Sequence, residues 1–270
     1  MSTWKATGAV GIYGVGNMGE ALLAGLIAAG TSPAQIYFAD KRDDRAAEIA
    51  TTYGAIHKSV AEIARECSTI LLVVKPQDLG ALLESIKSEL SPDALLISFA
   101  AGKTIAFIEA ALSEGATVVR VMPNTPALIG LGAAGISPGA RVSADQLAFT
   151  KNFLESCGIA VVLDESLQDA VTAVSGSGPA YFFAFVEAMV AAGVELGLSE
   201  EVASTLTIQT IVGAAGMLEK SGKSATTLRE NVTSPNGTTA AALKVFSDGA
   251  LAELTLKAMT AARDRSQELA

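Results

Sequence analysis

Histidine occurs once and cysteine twice in this 270-residue chain. With His57 alone, a histidine-built metal centre and a Ser-His-Asp triad are both excluded, since each needs imidazoles that the sequence does not supply. Cys67 and Cys157 lie far apart and form no CxxC pair. They suggest neither a zinc site nor a disulfide framework and read as core thiols of a reducing compartment. Charge is also scarce, at 17% of residues against 50% hydrophobic, so small residues or another subunit must cover much of the surface. The net charge of −9 comes without any Lys/Arg cluster. That excludes nucleic acid and anionic membrane as partners, because both are recognised through basic patches. The N-terminus lacks a charged segment leading into an apolar run. The longest apolar helical pattern, from Pro179 to Leu198, is interrupted by Glu187 and Glu195. A cytoplasmic chain with no membrane partner is expected.

Against these absences stands a strong alternation of element types. From Ala9 to about Val162, short β-branched runs alternate with helical patterns, which predicts an α/β domain: a Rossmann-type, mostly parallel sheet with helices on both faces. Strands are predicted at Val10–Tyr13, Ile36–Ala39, Ile70–Val74, Leu95–Phe99, Val118–Met122, Ala134–Ser137 and Ala160–Leu163. Helices are predicted over Asn17–Ala29, Asp44–Tyr53, Gln77–Leu90 and Ala144–Ser156. Their near-continuous apolar character suits strands covered on both faces. After Asp164 the pattern is helical throughout, over Pro179–Leu196, Ser199–Ser221, Thr238–Ser247 and Ala250–Leu269. We therefore place a domain boundary at 164/165, with residues 1–164 forming the sheet domain and 165–270 an all-α domain. Ser175-Gly176-Ser177-Gly178-Pro179 is read as a helix break, with Pro179 opening the next helix.

Gly14-Val15-Gly16-Asn17-Met18-Gly19 follows a predicted strand and opens a predicted helix, the context that gives G-x-G-x-x-G its meaning. The first glycine permits the turn, the second lets backbone approach a pyrophosphate, and the third lets helix pack on strand. Asp40, 21 residues beyond Gly19, stands where an acid hydrogen-bonds the ribose of NAD. Lys41 and Arg42 follow at once and suit the additional phosphate of NADP. The two signals oppose one another, so NADPH is expected with NADH open. Val73-Val74-Lys75-Pro76-Gln77 and Phe99-Ala100-Ala101-Gly102 end further strands on the same predicted edge. Small residues at the second allow backbone to lie against a nicotinamide ring. Met122-Pro123-Asn124-Thr125-Pro126 follows another strand, which puts Asn124 at the wall of the nicotinamide pocket.

Asn231-Val232-Thr233-Ser234-Pro235-Asn236-Gly237-Thr238-Thr239 runs directly into the helix formers Ala240-Ala241-Ala242-Leu243. A turn that hands hydroxyls and free N–H groups to a helix start favours a small anion such as a carboxylate. With the glycine fingerprint, the Val118–Pro126 run and the Ser175–Tyr181 loop, this segment closely resembles the pyrroline-5-carboxylate reductases. The resemblance covers essentially the whole chain, with the motifs in order.

That resemblance implies hydride transfer from NAD(P)H to the C=N bond of 1-pyrroline-5-carboxylate, giving proline. It implies cofactor contacts from Gly14, Val15, Gly16, Asn17, Met18, Val74, Lys75, Pro76, Ala100 and Ala101. Ser234, Gly237 and Thr238 correspond to carboxylate-binding positions, and Asn231 and Glu165 to further substrate contacts. Ser175 and Gly176 are expected near the substrate, and Thr239 is the motif threonine facing the ring nitrogen. Asn236 departs from the glycine common in this turn, and Ser59-Val60-Ala61-Glu62 replaces a stretch that often carries a cofactor-binding Asn. The family also implies an interlocked homodimer through the helical half, assembled into a ring, a decamer of dimers, with motifs of two subunits forming one site. No metal is implied. Two other readings fit parts of the pattern. A β-hydroxyacid-dehydrogenase-like oxidoreductase would need a catalytic lysine, and Lys220, Lys223, Lys244 and Lys257 lack its surroundings. A non-catalytic dinucleotide-binding regulatory protein is opposed by the intact Thr239 and fingerprint.

Overall fold

The computed structural model describes residues 8–112 and 115–269. Residues 1–7, on which part of the N-terminal reading rests, lie outside them. The chain divides into two compact units. One runs through Ser177 and takes in the C-terminal residues from Ala262 on; the other spans Gly178–Ala261.

In the first unit the chain passes through β1 (Ala9–Tyr13), α1 (Asn17–Ala28), β2 (Ile36–Ala39), α2 (Asp43–Tyr53), β3 (Ile56–His57), α3 (Val60–Glu66), β4 (Cys67–Leu72), α4 (Pro76–Ile86), β5 (Leu95–Ser98), α5 (Ile105–Ala111), β6 (Thr117–Met122), β7 (Gly132–Pro138), α6 (Ala144–Glu155) and β8 (Gly158–Val162). Among the described residues the strands form one eight-stranded sheet in the order β3-β2-β1-β4-β5-β6-β7-β8. Pairing is parallel except between β6 and β7. The first six strands thus keep the dinucleotide-binding order, with its switch point between β1 and β4.

The two faces of the sheet are read off alternate residues, because successive strand side chains point to opposite sides. Ile12, Leu71, Leu95, Ile97, Val119 and Val121 join one buried cluster with Leu22, Leu26 and Phe153 from the helices. Tyr13, Ile70, Leu72, Leu96 and Val118 join the opposite one with Leu79, Leu83 and Ile108. Both cysteines are free and buried. Burial pushes the Cys67 thiol up to about 12, with the Glu66 carboxylate adding to it.

Beyond β8 a 3₁₀ turn (Glu165–Leu167) leads into α7 (Gln168–Val171), which passes without a break into a π-helical turn at Thr172–Gly176. The π turn ends at Gly176, Ser177 is a bend, and the next helix opens at Gly178 with Pro179 in its first turn, as the sequence led us to expect; the π turn itself was not foreseen. Its cause is local: Ser177 N–H reaches back to the Thr172 carbonyl at 2.8 Å, five residues away. The hydroxyls of Thr172 and Ser175 bond the carbonyls of Gln168 and Val171. The segment 165–177 lies on the sheet. Arg120, nearly buried on β6, pairs with Glu165 at 3.2 Å and Asp169 at 3.6 Å, and Gln168 donates to Ser137 Oγ at 2.9 Å.

The second unit holds α8 (Gly178–Glu195), α9 (Glu200–Lys220), α10 (Ala225–Asn231), α11 (Thr238–Asp248) and most of α12 (Leu251–Glu268). α8 packs on α9 where Gly193 meets Ala203, a contact so close that a β-carbon on Gly193 would lie 3.0 Å from the alanine methyl. Much apolar surface faces outward: Phe182, Phe183, Leu206 and Val212 are each more than half exposed, as are Val245 and Leu256. Two helical stretches, Glu165–Glu195 and Glu200–Lys220, are long and apolar enough to cross a membrane by length and composition alone.

Candidate functional site

The carboxyl ends of five parallel strands carry every residue expected to hold the dinucleotide. Gly14–Gly19 follows β1, Asp40–Arg42 follows β2, Val74–Pro76 follows β4, Ala100 and Ala101 follow β5, and Asn124 follows β6. This is the edge at which ligands bind in open α/β sheets.

The three fingerprint glycines are glycines for three reasons. Gly14 has φ +91°, and a β-carbon there would stand 2.9 Å from the Val73 carbonyl oxygen. A β-carbon at Gly19 would lie 2.0 Å from the Gly14 carbonyl oxygen. Around Gly16, by contrast, among the described residues no atom lies within 4 Å of that position. The packing of the chain makes no demand for glycine at Gly16. Gly16 is also the N-cap of α1 and provides no side-chain cap. Asn17 and Met18 then open α1 with N–H groups free for an anion.

Lys75 is the N-cap of α4 with Pro76 as its first residue, a positioning role in keeping with Pro at N1. Ala100 is buried, and its N–H meets Ser98 Oγ at 3.4 Å. Lys41 is exposed and pairs with Asp78 at 3.2 Å, while Arg42 is more than half exposed. Asp40 is engaged within the chain: its carboxylate accepts Val15 N–H at 2.9 Å and Arg42 N–H at 3.0 Å. Asn124 is similarly committed, donating to the Ser175 carbonyl at 3.1 Å and accepting Ala133 N–H at 2.8 Å. It therefore brings the end of β6 and the π-helical turn together, so that Asn124, Ser175 and Gly176 share one neighbourhood. Ser59 and Glu62, where a cofactor-binding Asn was sought, form a reciprocal cap of α3.

Glu165 belongs to the sheet unit. Its Oε1 accepts from Ile105 N–H at 2.8 Å and from Arg120 at 3.2 Å, and it borders a cleft of about 470 Å³ with Ile105, Glu109 and Val162. In the helical unit Asn231 closes α10, and Ser234 to Gly237 form the turn before α11. Asn236 has φ +58°, so the residue that replaces a glycine does adopt the left-handed conformation that Asn tolerates. Thr238 and Thr239 are the first two residues of α11; its N-cap is Gly237, and among the described residues no side chain caps it. Among the described residues, five helices, α3, α5, α6, α9 and α10, are capped by a Ser or Thr side chain. α1 and α11, the two starts expected to meet anions, share instead a glycine N-cap with open N–H groups.

One residue of this region was not found from the sequence. Arg45 on α2 donates through Nε to the Val15 carbonyl at 2.8 Å and pairs with Glu20 and Glu48. Tyr53 donates to Glu20 at 2.9 Å. The Arg45 guanidinium, with the Tyr53 hydroxyl, holds the Glu20 carboxyl below its ordinary range.

A mostly parallel sheet in this order, with a glycine-rich turn between β1 and α1, defines a dinucleotide-binding oxidoreductase. Residues 9–102 match the family described as NADP oxidoreductase, coenzyme F420-dependent, and residues 165–269 match pyrroline-5-carboxylate reductase dimerisation. The pyrroline-5-carboxylate reductase of Pseudomonas aeruginosa is 45% identical over 267 residues, covering 98% of each chain. A solved pyrroline-5-carboxylate reductase from Coxiella burnetii superposes with a TM-score of 0.91 at 35% identity, covering 98% of this chain and 99% of that one. A Plasmodium falciparum pyrroline carboxylate reductase solved with NADP bound gives 0.87 at 32% identity, covering 98% of each. The chain belongs to the pyrroline-5-carboxylate reductase family.

Proposed function

We propose that this protein reduces 1-pyrroline-5-carboxylate to L-proline with NAD(P)H, the last step of proline biosynthesis. The single observation that carries this reading is the full-length similarity at 45% identity to a pyrroline-5-carboxylate reductase, which spans both the glycine cradle and the α11 start. The reduced nicotinamide supplies the hydride. The chain's own task is to hold ring against imine, keep water out and control charge. Gly14 to Met18 take the pyrophosphate on the α1 N-terminus, Val74 to Pro76 line the dinucleotide, and Ala100, Ala101 and Asn124 wall the nicotinamide. Lys41 and Arg42, both exposed on the same edge, favour NADPH as the working cofactor, with NADH also accepted.

Ser234, Gly237 and Thr238 bind the substrate carboxylate through hydroxyl and N–H donors at the positive end of α11. Asn231, Ser175, Gly176 and Glu165 supply further contacts. Thr239 orients the ring nitrogen through its hydroxyl, and the nitrogen's proton arrives directly or through an ordered water. Iminium chemistry needs no strong base, in keeping with a chain that has a single histidine.

The exposed apolar faces of α8, α9, α11 and α12 are covered by a second copy, giving a homodimer through residues 165–270 and, by further association, a ring. Coverage by protein rather than lipid keeps the two long apolar helices in a soluble, cytoplasmic enzyme. The test is kinetic: Thr239→Ala lowers turnover roughly a hundredfold while leaving nicotinamide binding near wild type. Unchanged turnover would remove Thr239 from the chemistry.

A further inference from the structure

We propose that Arg45, a residue outside the glycine fingerprint, is a positioning residue for dinucleotide binding. It acts by fixing the peptide plane between Val15 and Gly16. The inference rests on the dinucleotide reading above and adds a residue to it.

Val15 is fully buried and both of its backbone groups end on side chains beyond β2. Its N–H donates to Asp40 at 2.9 Å, and its carbonyl accepts from Arg45 Nε at 2.8 Å. The next group along the chain, the Gly16 N–H, shares one rigid plane with that carbonyl and points the opposite way. Holding the carbonyl therefore aims the Gly16 N–H, and with it the first free donors of α1. Glycine at this point provides no side chain to hinder rotation of that plane, so the restraint must come from elsewhere. Arg45 is well placed to give it. Its side chain is only 11% exposed, and its planar fork is shared among the Val15 carbonyl, Glu20 and Glu48.

A second effect acts in the same direction. Glu20 lies in the first turn of α1, the turn that must accept a pyrophosphate, and an unpaired carboxylate there would oppose the anion. Arg45 neutralises it, and Tyr53 donates to its other oxygen. Of the two effects the orientation of the peptide is the one proposed to dominate. It uses the one donor of the guanidinium that points along the chain rather than at an acid.

The test uses the full-length protein and two probes, ADP-ribose, which lacks the nicotinamide ring, and NADPH. In R45M, the dissociation constants of both probes rise about tenfold, the loss of one charge-assisted hydrogen bond. Turnover at saturating cofactor and KM for 1-pyrroline-5-carboxylate stay within about twofold of wild type. R45K keeps the charge but not the fork, and falls between the two. In the double variant R45M/E20Q affinity stays weak. Wild-type affinity for ADP-ribose in R45M would overturn the proposal, as would recovery of affinity in the double variant. So would a fall of apparent turnover in step with the folded fraction while both dissociation constants stay at wild type, the mark of a merely structural residue. Should R45M fail to fold, the same split measured in R45K decides. Wild-type protein that binds neither probe would sink the dinucleotide reading and this proposal together, whereas wild-type binding with an unaffected R45M sinks the proposal alone.

Discussion

Replacing Gly16 and Gly19 with alanine, one at a time, separates a glycine kept for a ligand from a glycine kept for the fold. At Gly16 the backbone is extended, with φ −65° and ψ −166°, a conformation open to any residue. A β-carbon meets no described atom within 4 Å. Gly16→Ala therefore costs the folded state almost nothing and restricts the unfolded chain, for a gain of about 0.4–1 kcal/mol. At Gly19 the β-carbon would lie 2.0 Å from the Gly14 carbonyl oxygen, a backbone atom in a turn with no slack. Overpacking of this kind costs about 1–3 kcal/mol or more. For a chain of this size each 1 kcal/mol moves the melting temperature by about 2–4 °C. Thermal unfolding should therefore show Gly16→Ala at or above wild type and Gly19→Ala several degrees below it. Cofactor titration gives the reverse emphasis. Gly16→Ala puts a methyl where the pyrophosphate must approach, and affinity falls at least about tenfold in a protein of undiminished stability. Wild-type cofactor affinity in Gly16→Ala, or equal stability of the two variants, would refute the reasoning.

Asn236, at φ +58°, should accept glycine with little change, whereas Asn236→Val should cost about 1–2 kcal/mol, read by denaturant unfolding. Arg120→Met leaves the carboxylates of Glu165 and Asp169 without their shared cation and should destabilise the protein by about 3 kcal/mol, measured the same way. Cys67, pushed up to about 12 by burial, and Cys157, raised by the same cause, should resist thiol reagents in the native protein and react once it is denatured. Because the folded Cys67 value lies above the unfolded one, its contribution to stability is complete below about pH 9. It is lost as pH climbs towards 12; Cys67→Ala should flatten that alkaline limb. Glu20 is held below its ordinary value by Arg45, so its contribution is present above the unfolded carboxylate range and lost as pH falls through the lowered folded value. Glu20→Gln should flatten the acid limb.

The parts of the fold that were legible are those whose pattern is long or repeated. β2 was placed to the residue, because Ile36–Ala39 is a bounded apolar run, and the other central strands to within a few residues. β3 was missed because two exposed residues at a sheet edge carry no period. The seven-residue helices α3, α5 and α10 are too short for a helical period to emerge, though Ser59 with Glu62 was a readable cap signal. At the Ser175–Pro179 stretch, glycine and proline read as a stop. The break falls at Ser177, between two helices, but the π turn that precedes it, held by hydroxyl-to-carbonyl bonds and a five-residue reach, has no sequence signal. The candidate site was legible where function needs a local pattern, as in the glycine fingerprint and the Ser234–Thr239 turn. Arg45 was not, since its link to Val15 crosses 30 residues and arises only when α2 packs beside α1. Nor could sequence reveal that Asp40 is engaged by the fingerprint loop, or that Asn124 links Ser175 and Ala133.

The central claim is catalytic, and its most direct test is the initial rate at which purified protein oxidises NADPH, and separately NADH, in the presence of 1-pyrroline-5-carboxylate, followed by loss of reduced-nicotinamide absorbance with proline identified as product. The account predicts substrate-dependent oxidation with both, faster with NADPH because Lys41 and Arg42 are exposed cations at the end of β2, held by surface pairs with Asp78 and Asp40 that a phosphate can displace. Folded protein that binds either cofactor and yet forms no proline would contradict it.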